Sequence, residues 1–383
     1  MTRSRRINPC ILVLALVTLV LAACGEPQPS AEESPTTAPV ATTQATDSGG
    51  ENDVADTTSP VADVNEEDPV LASAMDRSWR VGLSGEGVLH RDGRMTGFQF
   101  NKLPVILAID ALNEDGWDVA PIFLNQSEAP VQALVQGSVD VANSSVTPVI
   151  TGAAAGAPIK SFAKTRNVEY VMLTTIDIET PEDLDGKRIG IHANASTTTL
   201  LSKLLLADYP DVEPTYLVIP GSPNRIQAMI AGELDASATQ FGDDTTAMEQ
   251  APGEFHIIFD FAEEMPQLVD SVLSYNSQEV DEETQHFMEL LLAQQVKFNN
   301  MIYDDADWAL EVSEEMDVIE TGGIDRFVSS GIFPTDHGLD AESLDFTIQG
   351  LIEAELIEPD NAPSGDELYD GSVWENAQTL LDG

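Results

Sequence analysis

The run Val131-Gln132-Ala133-Leu134-Val135-Gln136-Gly137-Ser138-Val139-Asp140 returns later in the chain as Ile226-Gln227-Ala228-Met229-Ile230-Ala231-Gly232-Glu233-Leu234-Asp235. Both read apolar-Gln-Ala-apolar-apolar-x-Gly-x-apolar-Asp. Apolar residues at helical spacing lead up to a glycine, which suits the left-handed position that closes a helix, and a short buried strand follows. Small polar residues come next in each copy: Asn143-Ser144-Ser145 in the first, Thr239-Gln240 in the second. Two unrelated helix–strand units sharing a glycine cap would not explain the paired Gln-Ala and the paired Asp. One unit used twice predicts two similar lobes whose strand ends face a shared cleft.

Strands and helices alternate outward from both copies. Before the first, Arg80-Val81-Gly82-Leu83 reads as a strand, Leu103 to Asn113 as a helix and Trp117 to Leu124 as a strand; Glu128 to Gln136 is the helix of the repeat and Ser138 to Ala142 its strand. Ile159-Lys160-Ser161-Phe162 is strand-like again. A second run follows: strands at Glu169 to Thr175 and Lys187 to His192, a helix from Ser196 to Asp208, a strand at Thr215 to Ile219, a helix from Pro223 to Ala231 capped by Ser222, and a strand at Leu234 to Thr239. Such alternation predicts an α/β fold with mostly parallel sheets.

The first residues carry an address. Arg3, Arg5 and Arg6 precede an apolar run from Ile11 to Ala22, too short to span a bilayer comfortably, which reads as a signal peptide. Leu21-Ala22-Ala23-Cys24-Gly25 resembles the bacterial lipobox, which implies lipidation at Cys24. The other cysteine, Cys10, lies in the leader, so the mature chain offers no disulfide and no cysteine-based metal site. The Ser, Thr, Pro and acid-rich stretch after Cys24 has no apolar periodicity and reads as a disordered tether. Sixty-six acidic residues face seventeen basic ones, a formal charge of −49. That balance argues against nucleic-acid partners and suits a saline or alkaline exterior, where screening relieves self-repulsion.

Pro181-Glu182-Asp183-Leu184-Asp185-Gly186-Lys187-Arg188-Ile189-Gly190-Ile191, followed by Ala195-Ser196-Thr197-Thr198 and a Leu-rich helix, resembles the entry to the second lobe of periplasmic-type solute-binding proteins. Ala133 to Val141 and Ala228 to Ala236 resemble a motif of the nitrate, sulfonate, taurine and thiamine-precursor branch. The resemblance covers roughly Trp79 to Tyr275. It implies a two-lobed periplasmic-binding-protein-like (type II) fold with two hinge-crossing strands, near Glu169–Thr175 and Leu268–Tyr275. The expected layout is a leader over 1–23, a tether over 24–75, lobe one over 76–168, lobe two over 169–271, and a return to lobe one with C-terminal helices over 272–383. The implied role is the extracytoplasmic, lipid-anchored solute-binding component of an ABC importer. Such a component takes a sulfonate, nitrate, aromatic carboxylate or pyrimidine-like solute and delivers it to membrane permease subunits as a monomer, with no cofactor and no metal.

Ligands of open α/β sheets sit beyond the carboxyl ends of the strands. In lobe one that rule nominates Ser84 and Gly85, then Asn143, Ser144 and Ser145, then Lys164 and Arg166. In lobe two it nominates His192, Asn194, Ser196, Thr197, Thr198, Ser222, Thr239, Gln240 and Phe241. The hydroxyls of Ser196, Thr197 and Thr198 stand where a strand turns into a helix, a place that suits a ligand oxyanion. Phe241 and Phe98 are readable as stacking platforms or as core. Asp243-Asp244 reads as a solvated helix start, with a cation site as the alternative. No Ser/His/Asp order, HExxH or cysteine site marks an enzyme. A solute sensor for a signalling partner and a secreted enzyme on the same fold stay open as alternatives.

Overall fold

The computed structural model describes residues 69–381 apart from Asp92 and residues 320–323. The leader, Cys24 and most of the tether lie outside the described residues. The tether reading fails at its end. Pro69–Met75 forms a helix, α1, whose Leu71 and Ala74 are buried, because these apolar residues find a partner in a long C-terminal helix.

The chain runs through β1 (Ser78–Ser84), a short hairpin β2 (Val88–Leu89) and β3 (Met95–Thr96), α2 (Leu103–Glu114), β4 (Asp118–Leu124), α3 (Ala129–Val135), β5 (Val141–Ser145), α4 (Val146–Ala154) and β6 (Ile159–Asn167). It crosses over and continues through β7 (Tyr170–Thr175), β8 (Arg188–Ile191), α5 (Thr197–Leu205), β9 (Thr215–Val218), α6 (Ser222–Ile230), β10 (Ala236–Gln240), α7 (Asp243–Gln250), β11 (Phe255–Asp260) and α8 (Phe261–Glu264). It crosses back into β12 (Val269–Asn276) and ends in α9 (Glu282–Asp304), α10 (Ala306–Glu315), α11 (Ile324–Ser329), α12 (Ala341–Glu353), α13 (Gly365–Leu368) and α14 (Ser372–Leu381). Among the described residues no helix is long and apolar enough to cross a membrane.

Two five-stranded sheets result, ordered β4-β1-β5-β12-β6 and β9-β8-β10-β7-β11. They share one plan. In each, the first three strands are parallel and the fourth, β12 or β7, having just crossed from the other lobe, runs antiparallel to both its neighbours, so the edge strand, β6 or β11, points the same way as the first three. The crossing strands thus each belong to one sheet, and the crossings lie just ahead of them, at Val168-Glu169 and between Phe261 and Leu268.

The sequence repeat occupies the same place in both sheets. Gly137 (φ 67°) and Gly232 (φ 71°) end α3 and α6 in the left-handed conformation. The paired aspartates do the same work one strand across. Asp140 accepts from the Arg80 backbone N–H (2.8 Å) and side chain, and Asp235 from the Arg188 backbone N–H (2.8 Å) and side chain (2.7 and 2.8 Å).

The C-terminal helices return to lobe one. The 23-residue α9 packs on α1, α2 and α14, with Phe287 stacked on Trp79 at 4.4 Å. They also fasten the lobes together. Gly350 of α12 packs on Leu204 of α5, and the Lys203 amine donates to the Ala354 carbonyl (2.6 Å). Arg326 of α11 reaches lobe two, pairs with Asp244 and Asp260, and lies 3.9 Å over the Phe241 ring.

Candidate functional site

A cavity of about 490 Å³ opens between the two sheets, where the parallel strands end. Lobe one lines it with Ser84, Gly85 and Glu86 after β1, Asn125, Gln126 and Ser127 after β4, and Ser145 at the end of β5. Gln99, Lys102 and Arg166 complete that wall. Lobe two lines it with Tyr170, His192, the Ser196-Thr197-Thr198 run, residues 220–225 and Gln240.

On the lobe-two wall two helices begin. Ser196 takes extended backbone before α5, and its hydroxyl donates to the Ala193 carbonyl (2.8 Å). The Thr198 hydroxyl accepts from the His192 backbone N–H (2.8 Å). Those two hydroxyls hold the loop. The Thr197 hydroxyl is buried and has no hydrogen-bond partner among the described residues, and Thr197 lines the cleft. At α6, Gly221 takes φ 84°, so Ser222 is the first helical residue and not the cap; its hydroxyl is likewise buried and without a partner. The Gly221 N–H donates to His192 Nδ1 (3.2 Å), which places the ring proton on Nε2. Burial, and then the charge of Arg225, hold His192 below its ordinary value and so neutral.

Arg225 sits one turn into α6 and is 2% exposed. Its guanidinium donates to the Ser237 hydroxyl (3.1 Å) and the Ile219 carbonyl (3.3 Å) and pairs with no carboxylate among the described residues. Burial lowers its pKa, against the pull of Tyr170 and Asp243. Room for its stem comes from Gly190 on β8, where a Cβ would stand 3.3 Å from Arg225 Cδ and 2.5 Å from Leu234 Cδ1.

On the lobe-one wall Lys102 is 3% exposed, and its amine donates to Ser84 Oγ (3.1 Å) and Asn143 Oδ1 (3.0 Å). Burial, and then repulsion from Arg166, bring its pKa down to about 7, although Asp270 and Glu169 pull the other way. Arg166 is engaged: Asp270 pairs with it directly and Glu169 at 3.4 Å. Glu169 also accepts from Asn101 of lobe one (2.7 Å) and Gln240 of lobe two (2.6 Å), so the floor of the cleft ties the lobes at the hinge. Burial pushes the Glu169 carboxyl up.

The structure thus brings Ser84, Gly85, Ser145, Arg166, His192, Ser196, Thr197, Thr198, Ser222 and Gln240 to one cleft. Six nominated residues are not on its lining. Asn143 and Ser144 belong to β5, which starts later than the sequence pattern places it, and both are buried; Asn143 serves the cleft only through Lys102. Thr239 is enclosed within β10. Asn194 is exposed on the loop outside. Lys164 turns to the opposite face, beside Tyr303 and Asp336, because β6 runs on to Asn167 with Thr165 as an extra residue between the pairs Lys164–Val272 and Arg166–Ser271. Phe241 is fully buried beneath Arg326 and against Phe327, and Phe98 is core, so neither is a stacking platform. Asp243 and Asp244 are buried, not solvated, and Asp244 is held by Arg326.

Lys102, Arg225, Tyr170 and Asn125-Gln126-Ser127 are among the cleft residues that sequence reasoning misses. The last three follow β4 and obey the strand-end rule already used elsewhere. Arg225 carries a weaker signal: a scarce cation in the first turn after Gly221-Ser222.

A model of the family described as NMT1/THI5 like matches residues 103–303, more than half of the chain. The protein belongs to that family and has the periplasmic-binding-protein fold. Similar solved structures include the ligand-binding component of an ABC-type import system from Staphylococcus aureus with zinc bound (15% identity, 79% of this chain and 99% of that one, TM-score 0.60). The aliphatic sulphonate binding protein SsuA of Escherichia coli is also similar (18% identity, 73% and 88%, TM-score 0.56). So is the alkanesulfonate-binding SsuA of Xanthomonas axonopodis pv. citri bound to MOPS (15% identity, 76% and 97%, TM-score 0.57). No curated protein matches the chain.

Proposed function

We propose that the protein captures a small organic anion between its lobes as the solute-binding component of an ABC importer, tethered outside the cell by a lipid on Cys24. The observation that carries the anion reading is the pair of buried cations, Lys102 and Arg225, that line the cleft with no carboxylate in direct contact among the described residues, in a chain of formal charge −49. A buried charge without a counter-charge destabilises a fold, so its presence at a cleft calls for a ligand of opposite sign. Thr197, Ser222 and the Nε2–H of His192 supply further hydrogen-bonding groups on the lobe-two wall that Arg225 also lines. A cavity of about 490 Å³ has room for an organic acid, where a nitrate would leave most of the volume to water. The neighbours named for ABC import and for sulfonate binding support the transport reading.

Thermal unfolding with a panel of sulfonates, carboxylates, neutral pyrimidines and amines tests it. Organic anions are expected to raise the melting temperature by mass action and amines to leave it unchanged. In Thr197→Ala the ligand-free melting temperature should hold, because that hydroxyl bonds nothing, while affinity falls about three- to tenfold. Stabilisation by amines alone would reverse the reading.

A further inference from the structure

The two buried cations stand on facing walls, Lys102 on lobe one and Arg225 on lobe two. The Ser84 hydroxyl accepts from Lys102, and Thr197 and Ser222 share the lobe-two wall with Arg225. Arg166, the third cation of the lining, is already held by Asp270 and Glu169. Those two carboxylates act on Lys102 as well, but the contacts of its amine are the Ser84 hydroxyl and the Asn143 carbonyl oxygen. Glu86, the acid of the lining, is exposed.

Lys102 is 3% and Arg225 2% exposed, so little water solvates either charge. A single anionic group would satisfy one wall and leave the other charge desolvated. We propose that the solute is a dianion with an acidic group at each end, one resting on Lys102 and Ser84 and the other on Arg225, Thr197 and Ser222, and that Lys102 selects for the second charge. The inference rests on the anion reading above and narrows it. Charge-assisted hydrogen bonds at both ends also fix the length of the solute, since each acid must meet its own wall.

Isothermal titration of the full chain at slightly acidic pH, with acids matched in length, tests it: pentanoate against glutarate, and propane-1-sulfonate against 3-sulfopropanoate. In each pair the dianion is expected to bind at least about tenfold more tightly. Lys102→Met should cost the dianion at least about tenfold in affinity and bring the two members to within about twofold of each other, and Ser84→Ala should narrow the gap without closing it. If the wild type binds each monoanion as tightly as its dianion, the dianion inference is wrong and the anion reading stands. If the gap survives in Lys102→Met, the selecting residue is not Lys102. Binding of none of the four acids would remove both readings.

Discussion

Lys102 shows at the scale of one residue what the cleft asks of the fold. In the unfolded chain its amine titrates at the ordinary lysine value of 10.5; in the folded chain it does so at about 7. Between those values the unfolded chain holds a proton that the folded chain does not. Stability without ligand should therefore be lowest below about pH 7 and rise toward pH 10.5. Across that range the slope attributable to Lys102 amounts to a few kcal/mol, as an order of magnitude. Chemical denaturation of wild type and Lys102→Met at several pH values isolates it: the difference between the two proteins should shrink as the pH rises, and a constant difference would show that Lys102 titrates normally. An anion at the amine reverses the shift, so binding should be tighter on the acid side of neutrality. Thr197 and Ser222 are legible in the sequence because they stand where a strand turns into a helix at the carboxyl ends of the sheet. Lys102 and Arg225 are not, because their role comes from burial, and burial depends on residues far away in the chain.

At the scale of elements the repeat of helix, glycine cap and strand is legible, and its reason becomes visible in space. The repeated Asp ties the repeat to the neighbouring strand through Arg80 in lobe one and Arg188 in lobe two. Those arginines open a second, shorter echo, Arg80-Val81-Gly82-Leu83 and Arg188-Ile189-Gly190-Ile191. The glycines face the repeat: a Cβ on Gly82 would stand 3.2 Å from Val139, and one on Gly190 only 2.5 Å from Leu234. Gly82→Ala should thus cost less than Gly190→Ala, which should cost about 1–3 kcal/mol through overpacking. Because the same Cβ presses on the stem of Arg225, Gly190→Ala should also weaken solute binding, and Gly82→Ala should not; melting curves with and without solute compare them. What the pattern hides is strand parity. The extra residue at Thr165 sends Lys164 away from the cleft, and Phe241, one residue past β10, turns into the core; period-two counting has no access to either.

At the scale of the whole molecule, acidic residues outnumber basic ones by 66 to 17. Self-repulsion at −49 should weaken as salt screens it, so the melting temperature should rise between about 0.1 M and about 2 M sodium chloride. A flat or falling curve would count against a saline habitat. The same field opposes the approach of an anionic solute, and low ionic strength should slow association for that reason. The central claim, an anion held by a buried cation, is tested most directly by titrating wild type and Arg225→Met with the acid that gives the largest thermal shift. Replacing an unpaired buried charge with an apolar side chain of similar length should leave the ligand-free melting temperature unchanged or higher, and Kd should rise by about a hundredfold or more. Wild-type affinity in Arg225→Met would contradict the claim.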